Sequence, residues 1–231
     1  KKRKVLTMAT WTGAKSERMF LDKETEAMYG KLAPKFEGLD YWVYGEDDTE
    51  TKFLVWAGND RDPGTYYSYD LTTDKLEKLA SLRPWIDPAQ MADMEPITYT
   101  SRDGLTIHGY LTLPVGREAK GLPLVVNPHG GPWARDQWGF NPEVQLLANR
   151  GYAVLQMNFR GSTGYGRKFW EASFKQWGKT MQDDITDGVD YLVKSGKVDP
   201  KRVAIYGASY GGYATLAGIT YTPDLYAAAV D

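Results

Sequence analysis

Hydrophobic positions change their period near residue 88: before it they recur in short alternating runs, and after it they gather into unbroken apolar runs separated by stretches at helical spacing. Residues 5–10 can form a strand. Lys23 to Phe36 sets Ala27, Met28, Leu32 and Phe36 at helical spacing and ends near Gly38. Four strand-like runs follow, Leu39 to Gly45, Lys52 to Gly58, Thr65 to Leu71 and Lys75 to Ala80, parted by the polar turns EDDTET, NDRDPG and TTD. Four short antiparallel strands joined by tight turns match one blade of a β-propeller. One blade cannot bury both faces alone, so its neighbours are expected before Lys1. LRPWIDP, Leu82 to Pro88, breaks the pattern, because each proline restricts itself and its predecessor. The expected domains are therefore 1–88, the end of a propeller, and 89–231.

Beyond the boundary, PITYTSRDGLTIHGYLTLP reads as two strands around an Arg-Asp-Gly turn. Strands at Leu122 to Asn127, Ala153 to Asn158 and Arg202 to Tyr206 then alternate with helices at Pro142 to Asn149, Thr180 to Lys194 and Gly211 to Gly218, and Ala227 to Asp231 looks like the opening of another strand. Apolar strands alternating with amphipathic helices imply a parallel sheet covered on both faces, an α/β fold. In the long helix Ile185, Val189, Leu192 and Val193 form one stripe, and Thr180 with Asp183 reads as a capping box. Asp183, Asp184 and Asp187 then read as acids favouring the amino end of a helix rather than as catalytic carboxylates.

Candidate chemistry sits where two of these strands end. Gly207-Ala208-Ser209-Tyr210-Gly211 is a G-x-S-x-G pattern between a strand and a helix, the context in which that pattern presents a nucleophilic serine on a turn too tight for flanking side chains. Ser209 is the candidate nucleophile. Asn127-Pro128-His129-Gly130-Gly131 leaves an earlier strand where an α/β-hydrolase places the loop completing its oxyanion hole. The N–H groups of Tyr210 and Gly131 are the expected donors, each worth about 3–4 kcal/mol in the transition state, with Gly130 shaping the turn. His129, inside that loop, reads as an orienting or packing residue rather than the base, and His108 as a hairpin residue. Asn158 to Gly166, NFRGSTGYG, matches neither phosphate-loop spacing and is expected to be a rim loop held by Arg160.

Composition narrows the partners. A formal charge of −2 gives no basic footprint for nucleic acid, and no apolar run reaches the ~18 residues of a membrane helix. No cysteine is present, which removes disulfides, thiolate nucleophiles and cysteine zinc sites together. No cofactor or metal is expected, and the protein is expected to be soluble, with the cytoplasm favoured over the periplasm. Lys1 to Lys4 reads as a solvated strand entrance rather than a localisation signal, and the chain reads as a piece of a longer protein.

PHGGPWA, NFRGSTGYG, MQDDITDGVDYL and the run into YGASYGGYA, in this order and spacing, resemble the prolyl oligopeptidase family of serine peptidases, closest to its acylaminoacyl-peptidase-like branch. The resemblance implies a propeller joined to a carboxyl-terminal α/β-hydrolase domain, Ser209 as nucleophile, Tyr210 and Gly131 as oxyanion donors, and short peptides as substrates. Members carry the triad Asp and His well beyond the nucleophile, whereas no histidine follows Ser209 here and Asp231 falls one strand too early. The 231-residue chain alone is therefore expected to be inactive. A carboxylesterase on the same scaffold and a non-catalytic interaction module are the alternatives.

Overall fold

The computed structural model describes residues 4–231; most of the basic cluster at Lys1 to Lys4 lies outside the described residues. The chain divides into two compact units, 1–91 with 139–141, and 92–138 with 142–231.

In the first unit, strands β1 (Met8–Thr12) and β2 (Ser16–Phe20) form a hairpin. The strand expected at 5–10 is therefore displaced toward the carboxyl end, and its partner went unforeseen because SERMF interleaves charge with Met and Phe. Helix α1 (Lys23–Leu32) starts at Asp22, whose carboxylate accepts from Thr25 N–H at 2.9 Å and Thr25 O–H at 2.7 Å. Pro34 turns its end into a short 3-10 segment, Ala33–Lys35. Strands β3 (Asp40–Glu46), β4 (Lys52–Gly58), β5 (Thr65–Asp70) and β6 (Lys75–Ser81) form one antiparallel sheet in sequence order, as the spacing of turns predicts. Met28, Tyr29, Leu32 and Phe36 pack on Phe53, Val55, Ala57 and Tyr69 to make its core.

The second unit opens with the hairpin β7 (Met94–Thr100) and β8 (Thr106–Thr112). Then come β9 (Leu122–Val126), α2 (Pro142–Asn149), β10 (Ala153–Asn158), α3 (Arg167–Glu171), α4 (Thr180–Lys194), β11 (Val198–Tyr206), α5 (Tyr210–Tyr221) and β12 (Ala228–Val230). The six strands lie in the order β12-β11-β9-β10-β8-β7; β10, β9, β11 and β12 are parallel, and β8 is antiparallel to both neighbours. The chain moves from β9 outward to β10 and then back past β9 to β11, so right-handed crossovers set α2 on one face and α4 and α5 on the other. Met181, Ile185, Val189 and Leu192 of α4 are buried against Leu124, Val126, Leu155 and Ile205. Gly188 brings α4 close to the sheet, since a Cβ there would stand 2.8 Å from the Tyr99 hydroxyl.

Two local expectations are corrected. Strand β11 begins at Val198, ahead of Arg202, because Asp199 and Pro200 sit in a bulge: Val198 pairs with Leu122, and pairing resumes only at Val203. Thr180 does not cap α4. It is the first helical residue, its hydroxyl bonds Gln176 Oε1 at 3.1 Å, and Asp183 is drawn off to the Arg102 guanidinium at 2.9 Å.

Among the described residues no helix is long and apolar enough to cross a membrane, and no cluster of three or more His, Asp or Glu side chains could hold a metal.

Candidate active site

Ser209 stands between β11 and α5 with φ 59° and ψ −121°. Side-chain-bearing residues avoid that region, at a cost of about 1–3 kcal/mol. Its flanking glycines are required by contact. A Cβ on Gly207 would lie 2.5 Å from the Gly211 carbonyl oxygen, and one on Gly211 would collide with the Pro128 carbonyl oxygen. The corner leaves Ser209 exposed, while Tyr210 behind it is buried among Phe159, Trp177 and Tyr213. Tyr210 opens α5, so its N–H has no carbonyl one turn back within the helix and points from the positive end of the dipole.

The loop after β9 reaches the same corner. A Cβ on Gly130 would stand 3.4 Å from Ser209 Cβ and 3.9 Å from Ser209 Oγ, ordinary van der Waals distances that place this loop directly beside the serine. Gly131 is exposed with φ 130°, and a Cβ there would press on Trp133 N at 2.8 Å. Asn127 ties the root of this loop to β11 by donating from Nδ2 to the Tyr206 carbonyl at 2.8 Å.

His129 is held away from the serine. Its ring stacks on Phe159 at 4.3 Å, Nδ1 lies 2.7 Å from the Gly130 carbonyl, and Nε2 lies 2.9 Å from Ser162 Oγ. A carbonyl can only accept, so the proton sits on Nδ1, and Nε2 shares the Ser162 hydroxyl proton with the Phe159 carbonyl, 2.7 Å from that oxygen. Both nitrogens are engaged within the loop. Burial pulls the imidazole down to about 4. Its folded value is thus below the ordinary 6.5, so the stability it contributes is present above pH 6.5 and is lost as pH falls toward 4. His129→Asn should flatten this part of the acid limb in urea titrations between pH 7 and 4; parallel curves for the two proteins would refute the assignment. His108 on β8 stacks on Tyr165 at 4.7 Å, and burial lowers its pKa as well.

Arg160 holds the loop after β10, through partners that local sequence pattern does not reveal. Its N–H and Nε both donate to Asp184 Oδ2, at 2.9 and 2.8 Å, and its terminal nitrogens reach Asp184 Oδ1 and Asp103 at 2.7 Å each. The Asp184 side chain is fully buried. Burial pushes its carboxyl up, and the guanidinium opposes that shift. Ser101 O–H bridges Asp184 and Asp187, and Arg102 pairs with Asp187. Asp183, Asp184 and Asp187 therefore clamp the β7–β8 turn and the β10 loop together. That loop supplies Ser162, which in turn fixes His129 beside Gly130. Helical spacing alone places these acids near a helix end and names none of their partners.

Two aromatic groups lie on the elements that follow these loops. Trp177 meets Tyr210 edge-on at 4.9 Å, and Trp133, Trp170 and Phe174 form a second cluster with centroids 4.7 to 6.1 Å apart. Trp133, Phe174 and Trp177 are about half exposed. Helix α3, which carries Trp170, had no capping signal to reveal it; Gly166 precedes it without a side-chain cap. A cavity of about 660 Å³ in the first unit has neither serine nor histidine in its lining and does not compete for this chemistry.

Strand order, a serine corner after β11 and a glycine loop after β9 define the second unit as an α/β-hydrolase. Residues 138–231 match the prolyl oligopeptidase family. Dipeptidyl aminopeptidase BIII of Pseudoxanthomonas mexicana is 47% identical over 176 residues, covering 73% of this chain and 26% of that enzyme. A puromycin-hydrolyzing peptidase of Mycobacterium tuberculosis superimposes with a TM-score of 0.68 at 33% identity, covering 78% of this chain and 28% of that one. The acylaminoacyl peptidase of Pyrococcus horikoshii does so at 0.66 and 27% identity, covering 82% and 30%. The chain spans only about a quarter of the length of the curated relatives it matches, 26% and 28% for the first two.

Proposed function

We propose that the protein carrying this chain is a serine-type peptidase that cleaves short peptides through an acyl-serine intermediate. Ser209 Oγ attacks the scissile carbonyl carbon, its proton passes to a general base, and the carbonyl oxygen takes up negative charge facing the N–H groups of Tyr210 and Gly131. The observation that carries this reading is the exposed serine at φ 59° with the Gly130 backbone beside it. The half-exposed rings of Trp177, against Tyr210, and of Trp133, in the loop after β9, suit an apolar substrate side chain.

The base and its acid partner lie outside these residues in this proposal. His129 has both nitrogens engaged, His108 lies stacked on Tyr165, and Asp231 abuts Gly212 at the start of α5. Without a base Ser209 keeps an ordinary hydroxyl, so the 231-residue chain alone is inactive. Names among the relatives point to dipeptidyl, acylaminoacyl and puromycin substrates. Turnover of dipeptidyl amides, N-acetyl-aminoacyl amides and short acyl esters by the full-length protein decides the class. Hydrolysis of either amide supports a peptidase; turnover confined to the esters identifies a carboxylesterase, and no turnover of any supports a binding module.

A further inference from the structure

The far end of the β9 loop is sewn to β10 by polar groups. Asp136 N–H donates to Asn158 Oδ1 at 2.7 Å, and Asn158 Nδ2 donates back to the Asp136 carbonyl at 3.1 Å. Beside this pair, Gln156 Nε2 donates to Asp136 Oδ1 at 3.0 Å. The other oxygen of each group, Asp136 Oδ2 and Gln156 Oε1, is buried and has no hydrogen-bond partner. Two buried acceptors left over on side chains already joined by one hydrogen bond are costly, at about 1–3 kcal/mol each. One proton resolves both.

We propose that Asp136 is held as the neutral carboxylic acid and closes a cyclic acid–amide pair with Gln156, in which Nε2–H donates to Oδ1 and Oδ2–H donates to Oε1. The pair positions the loop: it fixes Asp136 to β10 and so anchors the five-residue reach back to Gly131. Asp136 is a positioning residue in this scheme and touches no reacting atom.

The surroundings favour the neutral acid. Burial raises the carboxyl to about 7, against the opposing effects of Gln156 and Arg135. Arg135, the cation on the same loop, donates from Nε to the Asp136 main-chain carbonyl at 3.1 Å, while Nη2 donates to the Tyr165 hydroxyl at 2.8 Å and the guanidinium lies over that ring at 4.5 Å. From β8 come Tyr110, whose hydroxyl is 3.5 Å from Arg135 Nη2, and His108, whose pKa burial lowers. From the β10 loop comes Tyr165, raised by burial. Helix α2 turns Gln145 to Ala92 and Glu143 to the Tyr206 hydroxyl. Because the folded value lies above the ordinary 3.8, the stability this acid contributes is fully present below pH 3.8 and is lost as pH rises through about 7.

Three variants of the full-length protein test the pair. Asp136→Asn replaces O–H with N–H and can keep both hydrogen bonds at any pH, whereas Asp136→Leu and Gln156→Leu cannot. The infrared carbonyl stretch of a protonated carboxyl should be present in the wild type at pH 6 and missing from Asp136→Asn; an unchanged spectrum overturns the proposal. That readout does not depend on the protein being a peptidase, so it stands even if the proposed function fails. The positioning role rests on that function and is read from activity. Above pH 7 the wild type should lose turnover with the uptake of one hydroxide equivalent, by up to the ~10²–10³-fold that one displaced oxyanion donor is worth. Asp136→Asn should hold its rate where the wild type declines, and Asp136→Leu should be impaired throughout. Equal impairment of Asn and Leu variants would mean that the ionised carboxylate is needed, and parallel pH profiles for wild type and Asp136→Asn would remove the positioning role.

Discussion

Ser209→Ala in the full-length protein should abolish covalent labelling by a fluorophosphonate probe and lower peptide-amide turnover by about six orders of magnitude, the effect of deleting the nucleophile where triad and oxyanion hole act as a unit. Alanine at this position keeps the backbone: the corner is set by Gly207 and Gly211, whose added side chains would strike neighbouring backbone, and by the Gly211 N–H to Ala208 carbonyl bond at 2.9 Å. Folding should therefore be preserved, so lost activity would report chemistry rather than collapse. Undiminished labelling of the alanine variant would remove Ser209 from the mechanism. The residual rate is informative too, because Tyr210 and Gly131 offer backbone groups that a side-chain substitution at 209 leaves in place.

Asp184→Ala should be the most destabilising single change in the second unit, costing about 3–5 kcal/mol in denaturant titrations, because it strands a guanidinium whose side chain is only 6% exposed. The Asp103 carboxylate remains within 2.7 Å of Arg160, yet it is 41% exposed and cannot replace the bonds to Nε and the main-chain N–H. Removing both charges together, as Arg160→Met with Asp184→Leu, should recover most of that loss, since an apolar pair of similar volume avoids the desolvation penalty. A loss below about 1 kcal/mol for Asp184→Ala would mean the network is ornamental.

Much of the architecture could be read from the chain because buried parallel strands must be almost wholly apolar and their helices must be striped. That rule locates β9, β10, α4 and α5 to within a few residues, and the glycines at 207 and 211 mark a corner where any side chain would strike neighbouring backbone. Pattern fails where a residue answers to a partner distant in sequence. Asp184 falls between Met181 and Gly188 on the buried side of α4, and Gln156 and Asn158 interrupt the apolar run of β10. Each was a polar group in an apolar place, which signals a hidden partner without naming it. Arg160, Asp103 and Asp136 could be supplied only by the fold. The hairpin partner β2 and the short helix α3 escaped for another reason: each is too brief, and too mixed in polarity, to impose a period.

The ionic clamp on the β7–β8 turn also sets an order of assembly. Asp103 waits for a partner 57 residues later, and Ser101 for carboxylates 83 and 86 residues later. As the polypeptide is synthesised, the hairpin emerges with its acidic and basic tips still solvated, and Arg160 must stay hydrated until α4 has wound. Contacts of such separation form slowly, since loop closure must precede any gain from them. The loop after β10 is thus expected to be among the last segments of this unit to become rigid.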